Sequence, residues 1–259
     1  MSEEIIDVPE MDWRELPQSF TCFVIGAPES GKTFLIQFLH FALKHIYPVG
    51  TATCGTEDSQ GAFTPILGKM FTQKEFVEEE QLRHYKRQVL CVKDEIYPLA
   101  LETIDDCSDD PKIYSTRVVR ASFKNGRQWS KRGYIVGLQY ALDIRPEIRK
   151  LISFVAIFNE TETIELEKIY KNFGGIFGSL EKFKKAMKDI TSEPHTCLII
   201  LRFKKEKTIE NCVRWYKAPA WKWNDGKMHP YPEGWRFGCK EFQEWNDQRI
   251  DPDYVEQIM

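Results

Sequence analysis

The chain has 259 residues, 42% of them hydrophobic and 29% charged, with a formal net charge of −3. This profile excludes a disordered chain, a collagen and a small disulfide scaffold, and at roughly 150 residues per domain it allows one large domain with an extension. Apolar runs such as Phe154 to Phe158 are too short to cross a bilayer, and the greasiest stretch, Phe34 to Ile46, carries Gln37, His40, Lys44 and His45, so no membrane span is expected. The N-terminus, MSEEIIDVPE, is acidic and lacks the basic region and apolar core of a secretory signal. Cys22, Cys54, Cys91, Cys107, Cys197, Cys212 and Cys239 are odd in number and scattered, with no C-x-x-C pair or zinc spacing. They read as buried thiols of a protein in a reducing compartment.

In chain order, residues 1–20 are polar, carry Pro9 and Pro17, and read as an N-terminal arm. Thr21 to Ile25 is a β-rich apolar run. It meets a glycine turn and then a long apolar helix over Lys32 to Ile46, closed by Pro48 and Gly50. Short runs with the look of buried strands follow at Thr51–Cys54, Val89–Val92, Leu99–Ile104, Tyr134–Leu138, Ser153–Phe158 and Cys197–Phe203. Ser179 is placed to N-cap a helix whose Leu180, Phe183, Met187 and Ile190 repeat at helical spacing. Strands alternating with helices imply an α/β domain over 21–208, a mostly parallel sheet covered on both faces. From about residue 209 to 259 the composition changes to an aromatic-rich extension holding five of the seven tryptophans (Trp215, Trp221, Trp223, Trp235, Trp245). Two readings stand: aromatics packed back on the main domain, or a docking surface for a capsid or other partner protein.

Gly26-Ala27-Pro28-Glu29-Ser30-Gly31-Lys32-Thr33 fits G-x-x-x-x-G-K-[ST] and lies between a strand and a helix, the context this phosphate-binding loop needs. The glycines let backbone N–H groups turn around phosphates and the helix N-terminus adds its positive end. Lys32 reaches the β- and γ-phosphates, and Thr33 offers a hydroxyl to Mg²⁺. Such a site needs a second strand ending in an acid to hold Mg²⁺, with a neighbouring acid to polarise water. Val89 to Glu95 offers Asp94-Glu95 and Leu99 to Cys107 offers Asp105-Asp106, and local pattern does not separate them. A glutamine at a buried strand's carboxyl end, Gln139, sits where open α/β sheets bind ligands, although such a residue also serves simply to bond nearby backbone.

Charge is unevenly placed. Pro111 to Lys150 holds ten basic residues against Asp143 and Glu147, a net +8 that leaves −11 for the rest of the chain. This is either a solvated face or an electrostatic footprint for phosphate, on DNA or on a nucleotide in a neighbouring subunit.

Taken together, the phosphate loop, Asp105-Asp106-Cys107, Gly126-Arg127-Gln128, Gly137-Leu138-Gln139 and Ile144-Arg145-Pro146-Glu147-Ile148-Arg149 resemble the DNA-packaging ATPases of the nucleocytoplasmic large DNA viruses, a group that includes the poxvirus packaging ATPase, on the FtsK/HerA branch of P-loop ATPases. The match runs from about Thr21 to about Phe203. The resemblance implies a RecA-like additional-strand P-loop fold that binds ATP and Mg²⁺. It gives Asp105 the metal, Asp106 the attacking water, and Gln139 the sensing of the γ-phosphate. An arginine, Arg127 first and Arg149 second, would be supplied to the adjacent subunit. The family's Ser-Arg-His turn corresponds here to Gly126-Arg127-Gln128, and its apolar-Arg-Asn pattern to Ile148-Arg149-Lys150, departures at the flanking positions. The expected partners are double-stranded DNA of any sequence, other copies in a homo-oligomeric ring, and capsid or portal-type proteins. The expected location is the virus assembly site in the host cytoplasm, with association to the virion. Rival readings are a P-loop kinase of a nucleoside or small molecule, and a scaffold that binds ATP without hydrolysing it. A GTPase is disfavoured because no Asn-Lys-x-Asp sequence is present.

Overall fold

The computed structural model describes residues 7–95, 99–107, 110–140, 145–219 and 235–248. Expectations resting on Ile144, Trp221 and Trp223 fall outside them. The elements are β1 (Thr21–Ile25), α1 (Lys32–Ala42), β2 (Val49–Cys54), α2 (Glu57–Leu67), β3 (Thr72–Gln73), α3 (Glu78–Lys93), β4 (Ala100–Asp105), α4 (Arg117–Trp129), β5 (Gly133–Leu138), α5 (Pro146–Arg149) and β6 (Phe154–Phe158). They continue with α6 (Thr163–Phe173), α7 (Leu180–Ile190), β7 (Thr196–Leu201), α8 (Ile209–Cys212), β8 (Val213–Lys217) and α9 (Lys240–Asp247).

The strands form a single sheet in the order β3-β2-β4-β5-β1-β6-β7-β8. The first six run parallel, while β7 and β8 are antiparallel to their neighbours. Every residue of β1, β4, β5, β6 and β7 is buried. Helices on both faces make this possible, and it is why these strands read as continuous apolar runs in place of alternating ones. In β1, Phe23 and Ile25 point into a core shared with α4 and α6, and Cys22 and Val24 into one shared with α1 and α2. This is the expected P-loop α/β architecture. At α7, the Ser179 side chain accepts from the Lys182 N–H, as its capping position predicts.

Several local expectations are corrected. Val89–Val92 is not a strand but the last part of α3, because Leu82, Tyr85 and Val89 at helical spacing pack on the core while Leu90 faces water. Gly126-Arg127-Gln128 is not a turn but the final stretch of α4, whose Val118, Val119, Ser122, Phe123 and Gly126 form its buried stripe. The helix ends at Trp129, and two residues beyond it Lys131, in a left-handed conformation (φ 45°), donates its N–H to the Gly126 carbonyl. Cys239 is exposed and Cys91 half-buried, while the other five thiols are buried.

Strand β8 lies beyond the boundary placed at residue 208, yet it pairs with β7 and extends the sheet. It also ties down the N-terminal arm: Met11 N–H donates to Trp215 O at 2.8 Å, and Trp215 N–H to Pro9 O at 3.2 Å. Past the undescribed 220–234, Trp235 stacks on Phe41 of α1 with ring centroids 4.8 Å apart and planes within 4°, and Phe237 is buried beside it.

Candidate nucleotide site

The register brings the site together at one edge of the sheet. Ile25 pairs with Leu138 and Cys54 with Asp105, so the loop after β1, the acids ending β4 and the Gln139 that follows β5 all emerge at the carboxyl edge. Strand β5 separates β4 from β1, which opens the gap that a phosphate and a metal occupy in such sites.

The loop from Gly26 to Thr33 makes a sharp reversal into α1. Gly26 N–H bonds the Leu138 carbonyl at 3.1 Å, and a side chain at Gly26 would strike Ser30. Gly31 has φ 104° and Glu29 φ 62°, so the chain alternates through left-handed conformations that turn successive N–H groups inward. The first N–H groups of α1 have no partner within the helix and, with the helix dipole, make an anion site. The Ser30 hydroxyl is buried with no bond of its own.

Lys32 is nearly buried, and its Nζ lies 2.6 Å from Asp106 Oδ1. The Thr33 hydroxyl donates to Asp105 Oδ2 at 3.1 Å. Asp105 is fully buried, and its other oxygen, Oδ1, has no hydrogen-bond partner. Burial, then the charge of Asp106, push its carboxyl up to about 6, against the pull of Lys32 and Thr33. Gly137 gives this carboxylate its room, since a side chain there would collide with Oδ1. Asp106 is held in a left-handed conformation (φ 50°), with Gly55 packed so closely on its carbonyl that no larger residue fits.

These features test whether the residues suit Mg²⁺. A hydroxyl and one buried carboxylate with a free oxygen suit an ion that takes most of its ligands from water and substrate phosphates. No cluster of three or more His, Cys, Asp or Glu able to hold a metal by itself exists among the described residues. The fit is therefore to a nucleotide-borne ion.

Of the residues singled out from sequence, the structure brings together Gly26 to Thr33, Asp105 and Asp106, with half-buried Gln139 just after the intervening strand β5. Asp94 is elsewhere, exposed at the C-terminus of α3. Arg127 and Arg149 are at the opposite, amino edge, where the Arg127 Nη2 donates to the Leu151 carbonyl at 2.8 Å. Arg132 is not at a surface: it is 2% exposed, ion-paired to Glu102 and bonded to Ser122, so it is withdrawn from any phosphate footprint. Sequence reasoning missed His195, which packs on Gly31 and Phe34, and Gly55; both come from distant segments and carry no local signal.

Relatives in large DNA viruses share the sequence. Uncharacterized protein 075L of Invertebrate iridescent virus 6 is 35% identical over 232 residues, covering 89% of this chain and 86% of its own. Uncharacterized protein 088R of Invertebrate iridescent virus 3 is 32% identical over 230 residues, covering 89% and 85%. No family model matches the chain. Among solved structures, the genome packaging NTPase B204 of Sulfolobus turreted icosahedral virus 2, in complex with AMPPCP, superposes with a TM-score of 0.55 at 16% identity over 79% of this chain and 100% of that one. The conjugation coupling protein TcpA of pCW3, with ATPγS, gives 0.52 at 10% identity over 93% and 65%. The relatives are uncharacterized proteins of large DNA viruses, and it is the fold that the chain shares with a viral genome packaging NTPase. The chain belongs to the large-DNA-virus family of 075L and 088R and carries the P-loop fold of the genome packaging NTPases.

Proposed function

We propose that this protein is an ATP-hydrolysing motor that moves double-stranded DNA into a capsid, working as a homo-oligomeric ring at the virus assembly site in the host cytoplasm. The observation that carries the reading is the pairing of Lys32 with Asp106 and Thr33 with Asp105 across the gap between β1 and β4. An incoming triphosphate competes with Asp106 for Lys32, so binding releases the Asp106 carboxylate next to the γ-phosphate, where it orients water. Thr33 and Asp105 would hold Mg²⁺, which when bound neutralises developing phosphate charge. Gln139 faces the same edge and senses the γ-phosphate.

Arg127 and Arg149 lie at the far edge from their own phosphate loop, so an arginine-finger role for either belongs to a neighbouring subunit's nucleotide. A P-loop kinase would instead gather its arginines over its own loop as a lid, and the amino-edge placement of Arg127, Arg149 and Arg202 favours the motor. Among the described residues no helix is long and apolar enough to cross a membrane. The deciding experiment is the ATPase rate with and without duplex DNA. Stimulation by unrelated sequences is expected, and turnover that ignores DNA but follows a small-molecule acceptor would overturn the motor reading.

A further inference from the structure

A cleft of about 750 Å³ opens at the amino edge of the sheet, on the opposite side of the molecule's strands from the phosphate loop. Its rim carries Lys124 and Arg127 from the end of α4, Lys150 after α5, and Arg202 and Lys207 after β7. No lining residue is acidic, in a chain where acids outnumber bases. Its floor is apolar, with Phe123, Ile152, Phe173 and Ile200 among the side chains.

Three of the rim cations donate to backbone carbonyls. Arg127 donates to Leu151 O at 2.8 Å, Arg202 to Arg149 O at 2.6 Å, and Lys207 to Arg202 O at 2.6 Å. Burial pulls Arg127 and Arg202 below the usual guanidinium range, and among the described residues no carboxylate pairs with either of them. Cations gathered around an apolar floor with no carboxylate among them repel one another, and an anion from another molecule relieves that repulsion.

We infer that this cleft holds the sugar–phosphate backbone of DNA, with Lys124, Lys150, Arg202 and Lys207 taking successive phosphates and the apolar floor taking sugar faces, while Arg127 at its rim is left to the neighbouring subunit's nucleotide. The inference rests on the motor reading and names the surface that grips its cargo. One arginine suffices for a neighbour's γ-phosphate, whereas this cleft spreads its charges from α4 to Lys207, as a row of phosphates requires. Contacts to phosphate and sugar carry no sequence information, which suits a motor that passes any genome.

The test measures fluorescence anisotropy of a labelled duplex of about 30 base pairs across a salt series, where each lost phosphate contact flattens the log–log slope by about 0.9. Lys124→Gln/Lys150→Gln/Lys207→Gln changes only exposed lysines, so it folds irrespective of Arg202; its thermal melt and ATP affinity are recorded alongside. The expected slope is shallower by about 2–3 than wild type, with ATP affinity unchanged. Lys86→Gln/Arg87→Gln on the exposed side of α3 should leave the slope as it was. An unchanged slope in the triple variant, or loss only in the α3 control, overturns the cleft while leaving the motor intact. Wild-type protein that binds no duplex overturns both. A triple variant that binds DNA normally but loses DNA-free turnover would assign the cleft to a neighbour's nucleotide, and polyglutamate displacing DNA at equal charge would assign it to an acidic protein; either result ends the DNA assignment.

Discussion

Arg132 is the residue in the basic segment whose removal should hurt stability most. Its side chain is 1% exposed, and that of its partner Glu102 3%. The guanidinium also bonds the Ser122 hydroxyl and lies 5.0 Å from the Tyr85 ring and 4.9 Å from the Tyr134 ring. In Arg132→Met, Glu102 is left as a buried carboxylate without its counter-charge, at a cost of about 3–5 kcal/mol. Against a total stability of about 5–15 kcal/mol this is a large fraction, equivalent to roughly 6–20 °C in Tm for a domain of this size. Replacing both partners, Glu102→Leu/Arg132→Met, removes the charge pair whole and should recover most of that loss, because apolar substitutes for a buried pair are often neutral. Urea melts of the wild type, both single variants and the double variant give the coupling energy directly. A cost below about 1 kcal/mol for Arg132→Met would refute the reasoning and return Arg132 to the candidates for phosphate binding.

Other outcomes are expected at the nucleotide site. Lys32→Ala should abolish hydrolysis, as should Asp105→Asn, whereas Asp94→Asn should keep most of it, all read as Mg²⁺-dependent phosphate release; a dead Asp94 variant with an active Asp105 variant would reverse the metal assignment. Asp105 also links stability to pH. Its carboxyl rises from 3.8 to about 6 on folding, so its ionised form weakens the nucleotide-free protein progressively as pH climbs through this window. Asp105→Asn should therefore match wild type near pH 4 and exceed its stability by up to about 3 kcal/mol at pH 7.5, as seen in melts at both values. Arg127→Ala should bind ATP but lose about 10³-fold or more in rate. Mixing it with the Lys32→Ala protein should restore some turnover, and confirmed mixed oligomers with none would remove the trans role. Trp235→Ala strips an aromatic layer from Phe41 and should cost about 3–5 kcal/mol by calorimetry.

The phosphate loop was legible in the sequence because its chemistry is local: eight contiguous residues between one strand and one helix set the turn, the N–H groups, the lysine and the hydroxyl. The buried strands were legible too, since two-sided burial writes itself as apolar runs. Asp94 and Asp105 could not be told apart by pattern, because what separates them is distant. The helical stripe of Leu82, Tyr85 and Val89 packs on other elements and carries Val89–Val92 into α3, while the pairing of Cys54 with Asp105 carries the other acid to the carboxyl edge. The same holds for charge. Lys131 and Arg132 are neighbours in a basic stretch, yet one is exposed and the other buried, because Arg132, immediately before β5, meets Glu102 on the adjacent β4. Residue type and local spacing follow from covalent neighbours, whereas counter-ions, burial and sheet edge follow from partners dozens of residues away, and only the folded chain supplies those.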